Sequence, residues 1–226
     1  VGEMIIYNLS MYLGFCMNMK KYWSLILVSF TILFLELLLI RLIGTEIRIF
    51  AYISNLILLA IFIGSGVGML SKRKFSLRVS AVLLLIIVFL INTDLLFGIT
   101  DWLAPLNENR IWFQSDAGSV GGIIGGLVLT TFLFFLVLFS FIPLGQYLGE
   151  IFEDSSKIIW AYSLNVVASI LGMWVFYGLS FLTISPFAGI IIAQFIFIIL
   201  SKDKKHKSFI AVVLIIIAAV GLGHDT

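Results

Sequence analysis

The sequence predicts an all-α, polytopic transmembrane helix bundle of about seven spans, and three observations predict it. Hydrophobic residues make up 62% of the 226 and charged residues only 12%, with a mean hydropathy of +1.18. The apolar residues gather into long runs, and lysine and arginine collect in alternate linkers between them. An ordinary soluble domain carries about 25% charged residues because water must wet its surface. One core of this size cannot hide so much apolar surface, and lipid removes the difficulty.

Crossing the hydrocarbon layer takes about 20 apolar residues in a helix, with roughly 17 as a lower limit. Five runs satisfy this: Tyr22–Ile43, Ala51–Leu70, Val79–Phe97, Gly121–Phe141 and Ile158–Leu182. Two shorter ones follow, Phe187–Leu200 and Phe209–Leu222. Residues 1–19 form a poorly defined N-terminal segment, and residues 20–226 form the transmembrane domain. Val1–Asn18 is mixed in character and has no basic region leading into an apolar stretch and cleavage site, so it does not read as a signal peptide. The expected natural start is near Met17 or Met19, which sets Lys20 and Lys21 directly before the first span.

Basic residues cluster at Lys20 and Lys21, at Lys72, Arg73, Lys74 and Arg78, and at Lys202, Lys204, Lys205 and Lys207. An excess of lysine and arginine marks the cytoplasmic side. All three clusters fit one alternating path that starts inside. The loop Gly98–Ser119, with Trp102 and Trp112 suited to an interface, then falls outside. Seven crossings would leave the C-terminus outside. Pro143 and Gly145 are expected to end or kink the fourth helix and to turn the chain into an inner linker, Gly145–Lys157.

A net charge of +2 is too small to suggest a nucleic-acid partner. The single cysteine, Cys16, excludes an internal disulfide, and His206 and His224 lie in polar segments without metal-ligand spacing. Neither a metal, a cofactor nor a catalytic residue is predicted. GSGVG (Gly64–Gly68) is superficially like a nucleotide-binding loop, but it lies inside an apolar helix with no strand before it.

A charge at mid-span costs roughly 2.5–3.5 kcal/mol on insertion scales, so such residues usually face other helices. Glu36 lies inside the first run and Arg41 nearer its end. At ~100° per residue they stand about 140° apart, poor partners on one helix. Arg41 reads as an interfacial residue. Glu36 is deeper, and with Asn55 and Asn165 it would build a polar pocket at mid-depth. Tyr162, Asn165, Ser169 and Gly172 share one stripe of the fifth run, suited to hydrogen bonds across helices and close approach. Ala60, Gly64 and Gly68 form a small-residue stripe, as do Gly121 and Gly125, suited to tight packing within the bundle or to contacts in a homo-oligomer.

LELLLIRLIGTEIRIFAYISNLILLAIFIGSGVG (Leu35–Gly68), FIPLGQYLGEIF (Phe141–Phe152) and AYSLNVVASILGMWVFYGLSFLTISP (Ala161–Pro186) together resemble the membrane half of bacterial multi-pass spermidine synthase-like proteins. The resemblance covers most of residues 22–222. It sets Glu36, Arg41, Glu46, Arg48, Asn55, Gly64, Gly68, Pro143, Gly145, Gln146, Gly149, Tyr162, Asn165, Ser169 and Gly172 where recurring residues of that membrane domain are expected. It implies a multi-pass protein of the bacterial cytoplasmic membrane, whose partners are the bilayer and a soluble aminopropyltransferase-like domain. That domain would follow the last helix and lies outside residues 1–226. A transporter of polyamines or other small cations, and a membrane assembly subunit, are the other classes that this pattern admits.

Overall fold

A computed structural model describes residues 2–46, 54–73, 75–92, 120–155, 158–201 and 203–224. These form seven α-helices: α1 (Gly2–Glu46), α2 (Ser54–Leu70), α3 (Leu77–Asn92), α4 (Val120–Glu153), α5 (Ile158–Phe181), α6 (Pro186–Leu200) and α7 (Lys204–His224). Among the described residues there is no strand. The all-α expectation therefore holds. The loop Gly98–Ser119 lies outside the described residues.

Among the described residues three helical segments, rather than seven, are long and apolar enough to cross a membrane: Lys21–Gly44, Leu127–Glu153 and Ile158–Phe181. The apolar helices Asn55–Leu70, Leu77–Ile91 and Pro186–Leu200 are shorter. At ~1.5 Å per residue, a helix of 15–17 residues reaches only about 22–26 Å, less than the ~30 Å hydrocarbon thickness.

The helices alternate in direction. Ser29 pairs with Ser169 and Arg41 with Ser180, so α1 and α5 run parallel. Gly64 lies against Leu138 and Gly68 against Ile142, so α2 and α4 also run parallel. Phe75 meets Gln146 whereas Ser80 meets Ser140, so α3 is antiparallel to α4. Lys21, before the first apolar run, reaches Asp154 just past the end of α4. Lys21, Lys72, Arg73, Arg78, Lys204, Lys205 and Lys207 consequently share one end of the bundle, the grouping that the sequence pattern anticipates.

One apolar core joins α1, α2, α3, α4, α6 and α7 around Phe34, Leu38, Phe141 and Phe197. The outside is apolar too: Phe62, Ile159, Phe181 and Trp174 are each more than 60% exposed. A surface of this kind suits lipid and would aggregate in water. α5 is peripheral, with 17% of its span buried against 50% for each of the other two long spans. It rides on α1 through small residues, Ala161, Ala168 and Gly172.

Of the two outcomes expected at Pro143, an end or a kink, the end does not occur: α4 continues to Glu153. Proline withholds the donor that the Phe139 carbonyl would use, a loss that membrane helices absorb where neighbours pack closely. Those neighbours are present. A Cβ added to Gly145 would fall on the Ser65 backbone, and one added to Gly149 would come 3.0 Å from the Met69 carbonyl. Gly145 is thus a packing residue, and the linker expected from Gly145 onward begins only at Asp154.

The α5–α6 turn is closed by Thr183 N–H donating to the Ser180 carbonyl and Ile184 N–H donating to the Leu179 carbonyl. That pattern demands a left-handed residue after the helix, normally glycine. Thr183 fills it at φ 54°. Pro186 then opens α6 with its fixed φ and no orphaned N–H.

Two outcomes are expected in thermal unfolding of the detergent-solubilised protein. Gly68→Ala destabilises by about 1–3 kcal/mol, the usual cost of overpacking, because its new methyl meets the α4 backbone. Gly66→Ala, with open space around it, is neutral or slightly stabilising. Equal effects at the two positions would remove the backbone contact as their cause. Thr183→Gly raises stability by about 1–2 kcal/mol by relieving the left-handed strain, whereas Thr183→Ala gives no such gain; a gain from both would point to the side chain instead.

Candidate functional site at the basic end

The C-terminal third of α4 carries two stripes. Gly145 and Gly149 face α2, and Gln146, Glu150, Glu153 and Asp154 recur at helical spacing beside them. Because α2 and α4 run parallel, both C-termini arrive at the same end. Between them opens a cleft of about 620 Å³, walled by Met69–Lys72 on one side and by Gln146, Glu150, Glu153 and Asp154 on the other. Two helix C-termini, each equivalent to roughly −0.5 charge, and three carboxylates make this region attractive to cations. Lys72 supplies the opposite sign on the α2 side. Lys21 Nζ lies 3.3 Å from Asp154 Oδ2 and also donates to the Asp154 carbonyl, so Asp154 is already neutralised. Among the described residues, Glu150 and Glu153 belong to no ion pair.

Gln146 organises the cleft. It is 5% exposed, and its Oε1 accepts a hydrogen bond of 2.7 Å from Phe75 N–H. That bond ties the α2–α3 turn to α4 and fixes the orientation of the carboxamide. A second polar seam lies deeper. Ser80 Oγ donates to the Ser140 carbonyl at 2.6 Å, Ser140 Oγ donates to the Val137 carbonyl, and the fully buried Gln194 donates through Nε2 to the Ala81 carbonyl. Gln194 Oε1 has no hydrogen-bond partner among the described residues.

The residues singled out from sequence are distributed rather than gathered. Glu36 is half-buried on α1, and no hydrogen bond or ion pair reaches it among the described residues. Arg41 donates from Nη1 to Ser180 Oγ at 2.9 Å, close to the α5 C-terminus, where the helix dipole favours a cation. Asn55 is exposed at the start of α2. The α1–α5 register sets Glu36 level with Val175 and Phe176, about 15 Å along the axis from Asn165 at ~1.5 Å per residue. The mid-depth pocket of Glu36, Asn55 and Asn165 therefore does not form. On α5 the stripe is graded: Tyr162 is exposed, Asn165 half-buried, Ser169 Oγ lies 3.5 Å from the Ser29 carbonyl, and Gly172 is buried. A Cβ on Gly172 would come 2.6 Å from the Phe30 carbonyl, so its role is close approach. Ala60, Gly64 and Gly68 are buried against α4 as the spacing suggests. The surroundings of Gly121 and Gly125 lie outside the described residues.

The sequence reading passed over Gln194, Glu150, Glu153 and Asp154. Gln194 was visible as the single amide in an apolar run, and the acidic stripe as a four-residue repeat from Gln146. Among the described residues, no group of three histidine, cysteine or acidic side chains is arranged to hold a metal ion.

Fold and site together define, among the described residues, an all-helical bundle with three helices long and apolar enough to cross a membrane and a polar cleft at its basic end. No protein-family model matches the chain, and neither a curated protein nor a solved structure matches it.

Gln146→Leu is expected to free the Phe75 amide, leaving a part-buried donor unsatisfied at a cost of about 1–3 kcal/mol. Hydrogen exchange in the 71–78 turn then accelerates by roughly 5- to 150-fold. Gln146→Glu keeps an acceptor and leaves exchange close to wild type. Acceleration in both variants would show that packing, not this bond, protects the turn.

Proposed function

We propose that residues 20–226 are the membrane-embedded domain of a spermidine synthase-like protein. In this reading the domain crosses the bacterial cytoplasmic membrane several times, and its basic end faces the cytoplasm. It anchors an aminopropyltransferase-like half and exchanges a small cationic substrate with it. The observation that carries the reading is spatial. The segments Leu35–Gly68, Phe141–Phe152 and Ala161–Pro186, which carry the resemblance, pack on one another. Gly68 of the first meets the Ile142 and Gln146 backbone of the second, Gly145 of the second meets the Ser65 backbone of the first, and the third lies along α1 through Gly172 and the Arg41–Ser180 bond. Segments shared for a common reason are expected to make one contiguous unit.

In the full proposal the shorter helices complete seven crossings beside the three long spans. Glu36 is the residue assigned to meet a cation within the bundle. A cation transporter is the second reading, favoured by the same carboxylate inside a span, which has no partner among the described residues.

The test is spermidine binding to the purified, lipid-reconstituted protein. Wild type binds, and Glu36→Gln weakens binding by at least roughly tenfold, equivalent to ~1.4 kcal/mol. Equal affinity in the variant removes Glu36 from both readings, and no polyamine binding by wild type sinks the proposed substrate class. Spermidine uptake into sealed proteoliposomes separates transport from anchoring.

A further inference from the structure

We infer that the cleft between the ends of α2 and α4 binds the zwitterionic headgroup of an aminophospholipid, a primary ammonium group beside a phosphate. The inference rests on the membrane reading of the chain and is independent of any link to a transferase.

Four observations meet there. First, the cleft holds both signs of charge on opposite walls, Lys72 at the end of α2 and Glu150 with Glu153 on α4. Glu150 and Glu153 are three residues apart on one helix, hence neighbours on one face. The α4 C-terminus adds negative potential on the ammonium side. Second, Gln146 is 95% buried yet lines the cleft. With its oxygen held by Phe75 N–H, the amide nitrogen is the free corner of the group, and it has no hydrogen-bond partner among the described residues. That nitrogen is left available as a donor at the cleft, and a phosphate oxygen can accept from it where a bare cation cannot.

Third, the rim is greasy where a soluble ligand would need none. Met69 and Leu70 line the cleft, and Leu70 is 86% exposed. An acyl chain leaving the headgroup would run over this surface. Fourth, the site lies where apolar helices give way to charged linkers, the depth of lipid headgroups if the helices span. The ammonium then sits against Glu150 and Glu153, and the phosphate against Lys72 and the Gln146 amide.

Native mass spectrometry of the whole protein, released from nanodiscs, measures which lipid stays bound. Phosphatidylethanolamine is expected to be retained at least roughly tenfold better than phosphatidylcholine, whose methylated nitrogen cannot donate charge-assisted hydrogen bonds to carboxylates. Gln146→Glu, which keeps the Phe75 acceptor but removes the amide donor to the phosphate, lowers retention of both lipids, whereas the double variant Glu150→Gln, Glu153→Gln abolishes the preference between them. Lys207→Gln, remote from the cleft, leaves it intact. Melting curves in phosphatidylcholine nanodiscs report whether each variant is folded. Should a variant fail to fold, competition on wild type decides: soluble glycerophosphoethanolamine displaces the lipid only if the headgroup is what is recognised. Displacement at low concentration without any lipid dependence would assign the site to a soluble ligand and overturn the lipid assignment. Equal retention of phosphatidylethanolamine, phosphatidylcholine and phosphatidylglycerol by wild type overturns the inference outright. Because no arm contains a polyamine, its failure leaves the proposed substrate class untouched.

Discussion

The approach of α2 to α4 at backbone distance is the constraint on which the rest of the bundle depends. In lipid there is no hydrophobic force to push two apolar helices together, so their association relies on van der Waals packing and hydrogen bonds. Gly64 and Gly68 on one helix, and Gly145 and Gly149 on the other, remove the side chains that would hold the axes apart. The contact runs along both helices in parallel, which brings their C-termini to the same end of the bundle, with α4 running on past the end of α2. The cleft, its acidic wall and the turn pinned by Gln146 follow from that register. The same contact explains how α4 continues past Pro143, since the helix after the proline is gripped by α2.

Polar groups inside the bundle are handled locally. Thr31 and Ser140 donate to carbonyls three or four residues earlier on their own helices, which neutralises a hydroxyl without recruiting a neighbour. Ser80 and Gln194 instead reach across, to α4 and α3 respectively. An interhelical hydrogen bond in a membrane protein contributes about 0.6 kcal/mol on average. These bonds therefore fix register more than they add stability.

The fold was largely legible because it rests on quantities carried by composition and periodicity. Apolar runs gave the helices, alternate basic linkers gave their directions, and four-residue glycine spacing gave the α2 contact. The number of full spans was not legible in the same way. Counting apolar residues does not reveal where helical geometry stops, and α6, at 15 residues, shows the difference. Whether Pro143 ends its helix was not legible either, because its local effect is to break or kink a helix and tertiary packing decides whether the helix goes on. Of the site, Glu36 and Asn165 drew attention as costly residues in lipid, yet their axial offset is a property of how α1 and α5 slide past one another. The cleft residues sit in a stretch that reads as an ordinary polar linker, and no single-helix pattern places Lys72 opposite Glu150.

The placement of ionic groups follows from what lipid charges for them. Apart from Glu36 and Arg41, the charged side chains described in the structure sit at the basic end, where each can keep part of its hydration. A site built there needs no compensating insertion energy, so acids and bases can face one another across a cleft while the helix interiors remain given over to packing. Arg41 meets that cost by lying near the end of its helix and donating to Ser180. Glu36 has neither advantage. It is half-buried, with no hydrogen bond or ion pair reaching it among the described residues, which sets it apart from the charges of the cleft.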